Sequence, residues 1–229
     1  LLSKYRFKPT YQFAPPTASK PPAAMQPATA ETSQTVEPAI ASKTEWPHYR
    51  GNPQLDGKSL GRIGNQPKLA WTYETQGEIL SSPTIVDDTV YVGSTDNSIF
   101  AIDLTTGKKR WAYATPDMVE APTLVIDGLV YTGSSDGFLY ALHADTGELA
   151  WKFETQDKIL GGANWFIGKD NKVRIVVGSY DANVYCLDQS GNKLWTYETD
   201  NFVNGTPAIH NREIVFGGCD AGLHLVNGE

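Results

Sequence analysis

The sequence predicts an all-β fold built from four consecutive units of about 40 residues. Three recurring phrases predict it. Trp71, Trp111, Trp151 and Trp195 lie 40, 40 and 44 residues apart and open one phrase: Trp71-Thr-Tyr-Glu-Thr, Trp111-Ala-Tyr-Ala-Thr, Trp151-Lys-Phe-Glu-Thr and Trp195-Thr-Tyr-Glu-Thr. Downstream come Val-Tyr-Val-Gly93-Ser-Thr-Asp96, Val-Tyr-Thr-Gly133-Ser-Ser-Asp136, Val-Val-Gly178-Ser-Tyr-Asp181 and Val-Phe-Gly217-Gly-Cys-Asp220. A third phrase, Phe100-Ala-Ile-Asp, Tyr140-Ala-Leu-His or Tyr185-Cys-Leu-Asp, runs towards turns at Thr106-Gly107, Thr146-Gly147 and Ser190-Gly191, with Asn227-Gly228 at the corresponding place in the last unit.

Each unit holds short β-branched and aromatic runs of alternating polarity, separated by Asp-Asp, Asp-Gly, Thr-Gly or Ser-Gly turns. No segment keeps a helical period over a useful length. In the second unit the strands fall at about Ala121–Ile126, Leu129–Gly133, Phe138–His143 and Leu149–Glu154. Four antiparallel strands in some forty residues make the blade of a β-propeller, whose radial packing limits exposed edges.

Ahead of the repeats, residues 1–45 read as a disordered Pro/Ala/Thr-rich tether. Eight of the 14 Pro lie in residues 1–47, and no Gly occurs before Gly51. Such a stretch buries too little apolar surface to offset the entropy of ordering it. The Leu-Leu-Ser-Lys-Tyr-Arg-Phe-Lys opening admits two readings, the stub of a signal sequence or membrane anchor and an ordinary disordered terminus.

The net charge of −7 argues against a nucleic-acid binder, which needs a basic stripe to neutralise phosphates. Two Cys and four His leave little for a disulfide framework or a multi-metal site. No apolar run reaches the roughly 18 residues of a membrane span.

The repeat resembles the PQQ-like repeat of quinoprotein-type propellers and of BamB-like envelope lipoproteins. The resemblance covers residues 46–229, and Trp46-Pro-His-Tyr-Arg-Gly51 is similar to the stretch that precedes the first blade in many bacterial members. It implies that Trp71, Trp111, Trp151 and Trp195 dock between blades, with Gly93, Gly133, Gly178 and Gly217 as their partners. It also implies a ring of seven or eight blades, of which about four are present here. A Trp buries up to about 250 Å², and Gly lets a ring approach the backbone.

Leu69–Glu74 reads as an outermost strand with no inner three before it. Two readings follow. The chain is the N-terminal part of a longer propeller, with that strand completing a blade outside it; or the strand pairs with the last unit and closes a four-bladed ring.

Asp96, Asp136, Asp181 and Asp220 recur once per unit, which suits hairpin-capping side chains better than a calcium site, where oxygens must converge on one point. Glu74, Glu154 and Glu198 recur likewise and read as solvated edge charges rather than a catalytic pair. Cys186 takes the place of Ala101 and Ala141 and reads as a core residue, while Cys219 belongs to a surface turn, so the two are not expected to pair. His48, His143, His210 and His224 are scattered, and no Ser/His/Asp triad, haem-attachment motif, catalytic group or metal site can be nominated.

The units differ where their innermost strands are approached. Glu120, Asn164, Trp165 and Asn204 break the repeat there, and the channel mouth is the usual binding face of a propeller. They are either candidate ligand contacts or simple variation in packing and loop length. The expected function is a non-catalytic scaffold of the periplasm or cell envelope, secreted or membrane-anchored, that binds other envelope proteins or a ligand and uses no cofactor. The alternative is an alcohol or sugar dehydrogenase that uses pyrroloquinoline quinone (PQQ) and calcium. For that site only Trp165 and Asn164 are candidates, and no base is identifiable.

Overall fold

Two-residue turns start blades 1, 2 and 4. In the computed structural model, which describes residues 45–59 and 65–229, Thr84–Val86 (β1) and Thr89–Ser94 (β2) are joined by Asp87 and Asp88, both at positive φ. Both central residues of a type I′ turn need this conformation, whose twist matches that of the flanking strands. Asp127-Gly128 repeats the turn between Leu124–Ile126 (β5) and Leu129–Gly133 (β6), and Asn211-Arg212 repeats it between Ala208–His210 (β13) and Glu213–Gly217 (β14). The expected tether lies outside the described residues, apart from Glu45.

Blade 1 is completed by Ser98–Asp103 (β3) and Lys109–Ala114 (β4), and blade 2 by Phe138–His143 (β7) and Leu149–Glu154 (β8). Blade 3 comprises Asn164–Ile167 (β9), Val173–Gly178 (β10), Asn183–Asp188 (β11) and Lys193–Glu198 (β12). Blade 4 has three strands, the third being Leu223–Asn227 (β15). Every ladder is antiparallel and joins sequential neighbours. The same bulge recurs in the outer hairpin of blades 1–3, after Ala101, Ala141 and Cys186.

The second and third strands of blades 1–3 are apolar on both faces because both are covered. Tyr91, Ile99 and Ala101 of blade 1 pack with Val125, Val130 and Tyr140 of blade 2. Blade 2 in turn packs through Leu124, Tyr131 and Leu139 on Ile175, Val177 and Tyr185 of blade 3. Val176, Val184 and Cys186 of blade 3 meet Ile209, Ile214 and Phe216 of blade 4. The core is thus a row of interfaces between blades, each combining two half-sheets.

The indoles staple these interfaces. Trp71, Trp111, Trp151 and Trp195 donate Nε1–H to the carbonyls of Leu104, Ala144, Gln189 and Gly228, each in the following blade, at 2.8, 2.9, 2.7 and 3.1 Å. The glycines beneath the first three rings are those of the Thr-Gly or Ser-Gly turns, Gly107, Gly147 and Gly191, all at positive φ. This corrects the assignment to Gly93, Gly133 and Gly178. Those glycines sit on the second strand of each blade and admit Val119, Ile159 and Val203 from the linker to the next blade. Gly217 meets no such side chain and is exposed.

Leu69–Glu74 forms no ladder with any described residue, and β15 carries no fourth strand. The four-bladed closure through this pair is therefore not formed, and the described structure is an open, partial propeller.

Candidate functional site

The inner strands β1, β5, β9 and β13 would expose their backbone edges to the channel, yet one segment covers them in turn. Trp46 forms a bridge with Ile85 of β1, with N–H···O distances of 2.8 and 2.9 Å. The Pro47 carbonyl accepts from Val125 of β5 at 2.8 Å. The Pro53 carbonyl accepts from Asn164 Nδ2 of β9 and from Ile209 N–H of β13, each at 2.8 Å. Gly51, at φ 89°, lets the chain turn against the Trp46 ring, where a Cβ would come within 2.8 Å of an indole carbon.

His48 is fully buried in this segment. Its Nδ1 bonds the Tyr49 carbonyl, and burial pushes its pKa down to about 4.

Asn164, predicted as a channel-mouth contact, is fully buried. Its amide also donates to the Pro207 carbonyl at 2.6 Å, and its Oδ1 accepts the Trp165 N–H. It is a clip joining β9, β13 and the Trp46–Pro53 segment. Trp165 is half-buried and lines a groove of about 380 Å³ with Pro53, Gln54, Ile209 and Arg212. Glu120 is half-buried beside Ser135 Oγ at 3.4 Å, and Asn204 is exposed. No hydrogen bond or ring contact joins Glu120 or Asn204 to Asn164 or Trp165.

The carboxylates of the repeat serve the turns and seams. Asp136, Asp181 and Asp220 accept through Oδ1 the N–H two residues on, at 3.0, 3.1 and 2.9 Å. Asp96 and Asp181 accept the N–H of Gln76 and Gln156 from the preceding linker, both at 2.9 Å. Asp136 cannot do so, because Pro116 holds the matching position and has no N–H. Bonds from Gly222 N–H and His224 hold the Asp220 carboxyl below the usual carboxylate range. Arg110, bonded to Asp103 at 2.7 Å, brings that carboxyl down to about 2. Glu74, Glu154 and Glu198 are exposed. Cys186 is buried, and desolvation pushes its thiol up to about 12; Cys219 is exposed, and the two are unpaired.

The hairpin loops and the linkers between blades share one face. Thr95, Ser135, Tyr180 and Cys219 donate N–H to the carbonyls of Glu78, Met118, Lys158 and Phe202. That face exposes Leu80, Met118 and Phe202. Tyr180 stacks on Phe202 with centroids 4.9 Å apart, and Lys158 Nζ lies 4.6 Å from the Tyr180 centroid.

A family model described as outer membrane protein assembly factor BamB matches residues 64–158. The repeats are PQQ-like β-propeller blades. A second family model, the lambda-carrageenase beta-propeller domain, matches residues 127–211. Among solved structures, BamB from Moraxella catarrhalis is 21% identical at a TM-score of 0.61, over 70% of this chain and 53% of that one. A quinohemoprotein alcohol dehydrogenase, ADHIIG from Pseudomonas putida HK5, is 19% identical at a TM-score of 0.69, over 81% of this chain and 39% of that one. The quinohemoprotein alcohol dehydrogenase of Comamonas testosteroni is 25% identical at 0.59, over 70% of this chain and 28% of that one. The PQQ-like chain thus spans about half the length of that BamB and less of the dehydrogenases. No curated protein sequence matches it. No helix among the described residues is long and apolar enough to cross a membrane.

Proposed function

We propose that this chain is a non-catalytic propeller scaffold of the cell envelope that binds protein partners on its loop face. The observation that carries this reading is the exposed apolar set Leu80, Met118 and Phe202, backed by the Tyr180 ring. Aromatic and Met side chains spread over one face suit extended, apolar polypeptide. The likeness to BamB, described as an outer membrane protein assembly factor, supports the same class of partner and the same compartment.

PQQ with calcium needs a stacking ring and several oxygens converging on a cation. The side chains named as candidates for that cofactor are engaged otherwise. The Asn164 amide is committed to two backbone carbonyls, and Trp165 faces a groove with Arg212. No three His, Cys, Asp or Glu side chains converge among the described residues.

The test is fluorescence anisotropy with a labelled, unfolded β-barrel segment of alternating aromatic residues. Binding that falls about tenfold or more in Met118→Glu and Phe202→Glu, with unfolding midpoints kept, is expected. No binding, or dye reduction by alcohols after loading with PQQ and calcium, would overturn the reading.

A further inference from the structure

The sequence holds two Asn-Gly pairs, Asn204-Gly205 and Asn227-Gly228, and the fold treats them oppositely. Such a pair has a chemistry of its own. Glycine has no side chain to hinder its backbone nitrogen, so that nitrogen can reach the carboxamide carbon of the asparagine before it. The reaction needs an N–H free of other bonds, a carboxamide free to turn, and a backbone able to bend towards a cyclic imide.

Asn227-Gly228 meets none of these conditions. Gly228 donates its N–H to the Arg212 carbonyl at 2.8 Å, and its own carbonyl accepts Trp195 Nε1–H at 3.1 Å. Asn227 lies in β15, paired with Glu213, and its Oδ1 accepts the Glu229 N–H at 3.1 Å.

Asn204-Gly205 meets all three. It lies in the linker from blade 3 to blade 4, outside every ladder and between two anchors. Before it, Val203 is fully buried against Gly178 and donates N–H to Ser179 at 3.0 Å. After it, Thr206 Oγ1 accepts the Gly162 N–H at 2.9 Å, and the Pro207 carbonyl accepts from Asn164 at 2.6 Å. Between these anchors the Asn204 side chain is exposed. Neither its carboxamide nor the Gly205 N–H makes a hydrogen bond among the described residues. The free N–H is a property of the linker. Ala121 and Gly161 hold the same position in linkers flanked by blades on both sides, and their N–H groups are likewise unbonded among the described residues. The residues before them, Glu120 and Leu160, still reach solvent.

We propose that Asn204 is a site of spontaneous conversion to aspartate and isoaspartate. The Gly205 nitrogen attacks Asn204 Cγ. A bond forms between them as the bond from Cγ to the side-chain nitrogen breaks, and that nitrogen leaves as ammonia with the Gly205 proton. Water then opens the cyclic imide. Attack at Cγ gives aspartate, while attack at the backbone carbonyl gives isoaspartate, whose main chain runs through Cβ and Cγ. Nothing is oxidised or reduced. Either product places a new negative charge beside Phe202 on the loop face. Isoaspartate also adds a carbon to a linker held at both ends, which displaces one of its anchors.

The experiment incubates the full folded chain at mildly alkaline pH and follows both pairs by peptide mass spectrometry. Trypsin separates them, Asn204 falling in the peptide Leu194–Arg212 and Asn227 in Glu213–Glu229. In the folded chain Asn204 should gain the mass of an amide-to-acid exchange at least about tenfold faster than Asn227. In urea the two pairs should convert at comparable rates, and Asn204→Gln should keep its peptide unchanged. Retention of Asn204 in the folded chain while the chain in urea converts would overturn the proposal, as would equal conversion of the two pairs in the folded chain. Of the separated products, the isoaspartate form should unfold at lower urea than the aspartate form, and equal midpoints would overturn the displaced anchor.

Discussion

Trp111 rests on Gly147 of the next blade so closely that a Cβ there would lie 2.6 Å from the indole. The ring also fixes its height by bonding the Ala144 carbonyl at 2.9 Å. Trp111→Ala should cost about 3–5 kcal/mol, from lost burial and the cavity left behind. Gly147→Ala should cost about 2–4 kcal/mol, combining a left-handed backbone with overlap against the ring. Urea unfolding of both variants checks the pair, and a neutral Gly147→Ala would refute the contact.

Two equivalent tyrosines make opposite predictions. Tyr91 donates its hydroxyl to the Ala144 carbonyl at 3.2 Å, whereas the Tyr131 hydroxyl is buried without a partner among the described residues. Tyr131→Phe should therefore stabilise by about 1 kcal/mol, and Tyr91→Phe should destabilise by a similar amount. Thermal denaturation of the two side by side reads the difference in sign.

Acid should weaken the fold through His48. Its folded pKa of about 4 lies below the ordinary 6.5, so the unfolded chain binds more protons. Its contribution is complete above pH 6.5 and is lost as pH falls towards 4, at about 1.4 kcal/mol per pH unit and about 3 kcal/mol in all. Denaturant midpoints across this window should slope for the natural protein and flatten in His48→Gln.

Asn164→Ala should lower stability by about 2–3 kcal/mol, because two backbone carbonyls lose a buried donor. Trp165→Ala, which opens a solvent-facing groove, should cost less. Equal losses in calorimetry would contradict the clip.

Much of this architecture is legible in the sequence because the repeat is physical. β6, β7 and β8 span the residues that alternation and turn chemistry predict, while β5 starts three residues later, at Leu124, after Pro122. The glycine partners are less legible. Gly93 and Gly107 both recur with the tryptophans, and only the fold shows which lies under a ring. Asn164 stands out as a break in the repeat, but its use is set by Pro53, a residue 111 positions away in a segment with no period of its own. Long-range contacts made once leave no periodic trace. Leu69–Glu74 reads as a strand from its side chains, yet a strand also needs a ladder, and that depends on what lies beside it.

The Trp46–Pro53 lacing imposes an order on biosynthesis. Its partners Ile85, Val125, Asn164 and Ile209 are made one blade after another, so this stretch emerges early yet completes its bonding only once the fourth blade has been translated. Until then Pro53 and the neutral imidazole of His48 wait in water, and the step that seats them should be slow and late, behind the local hairpins.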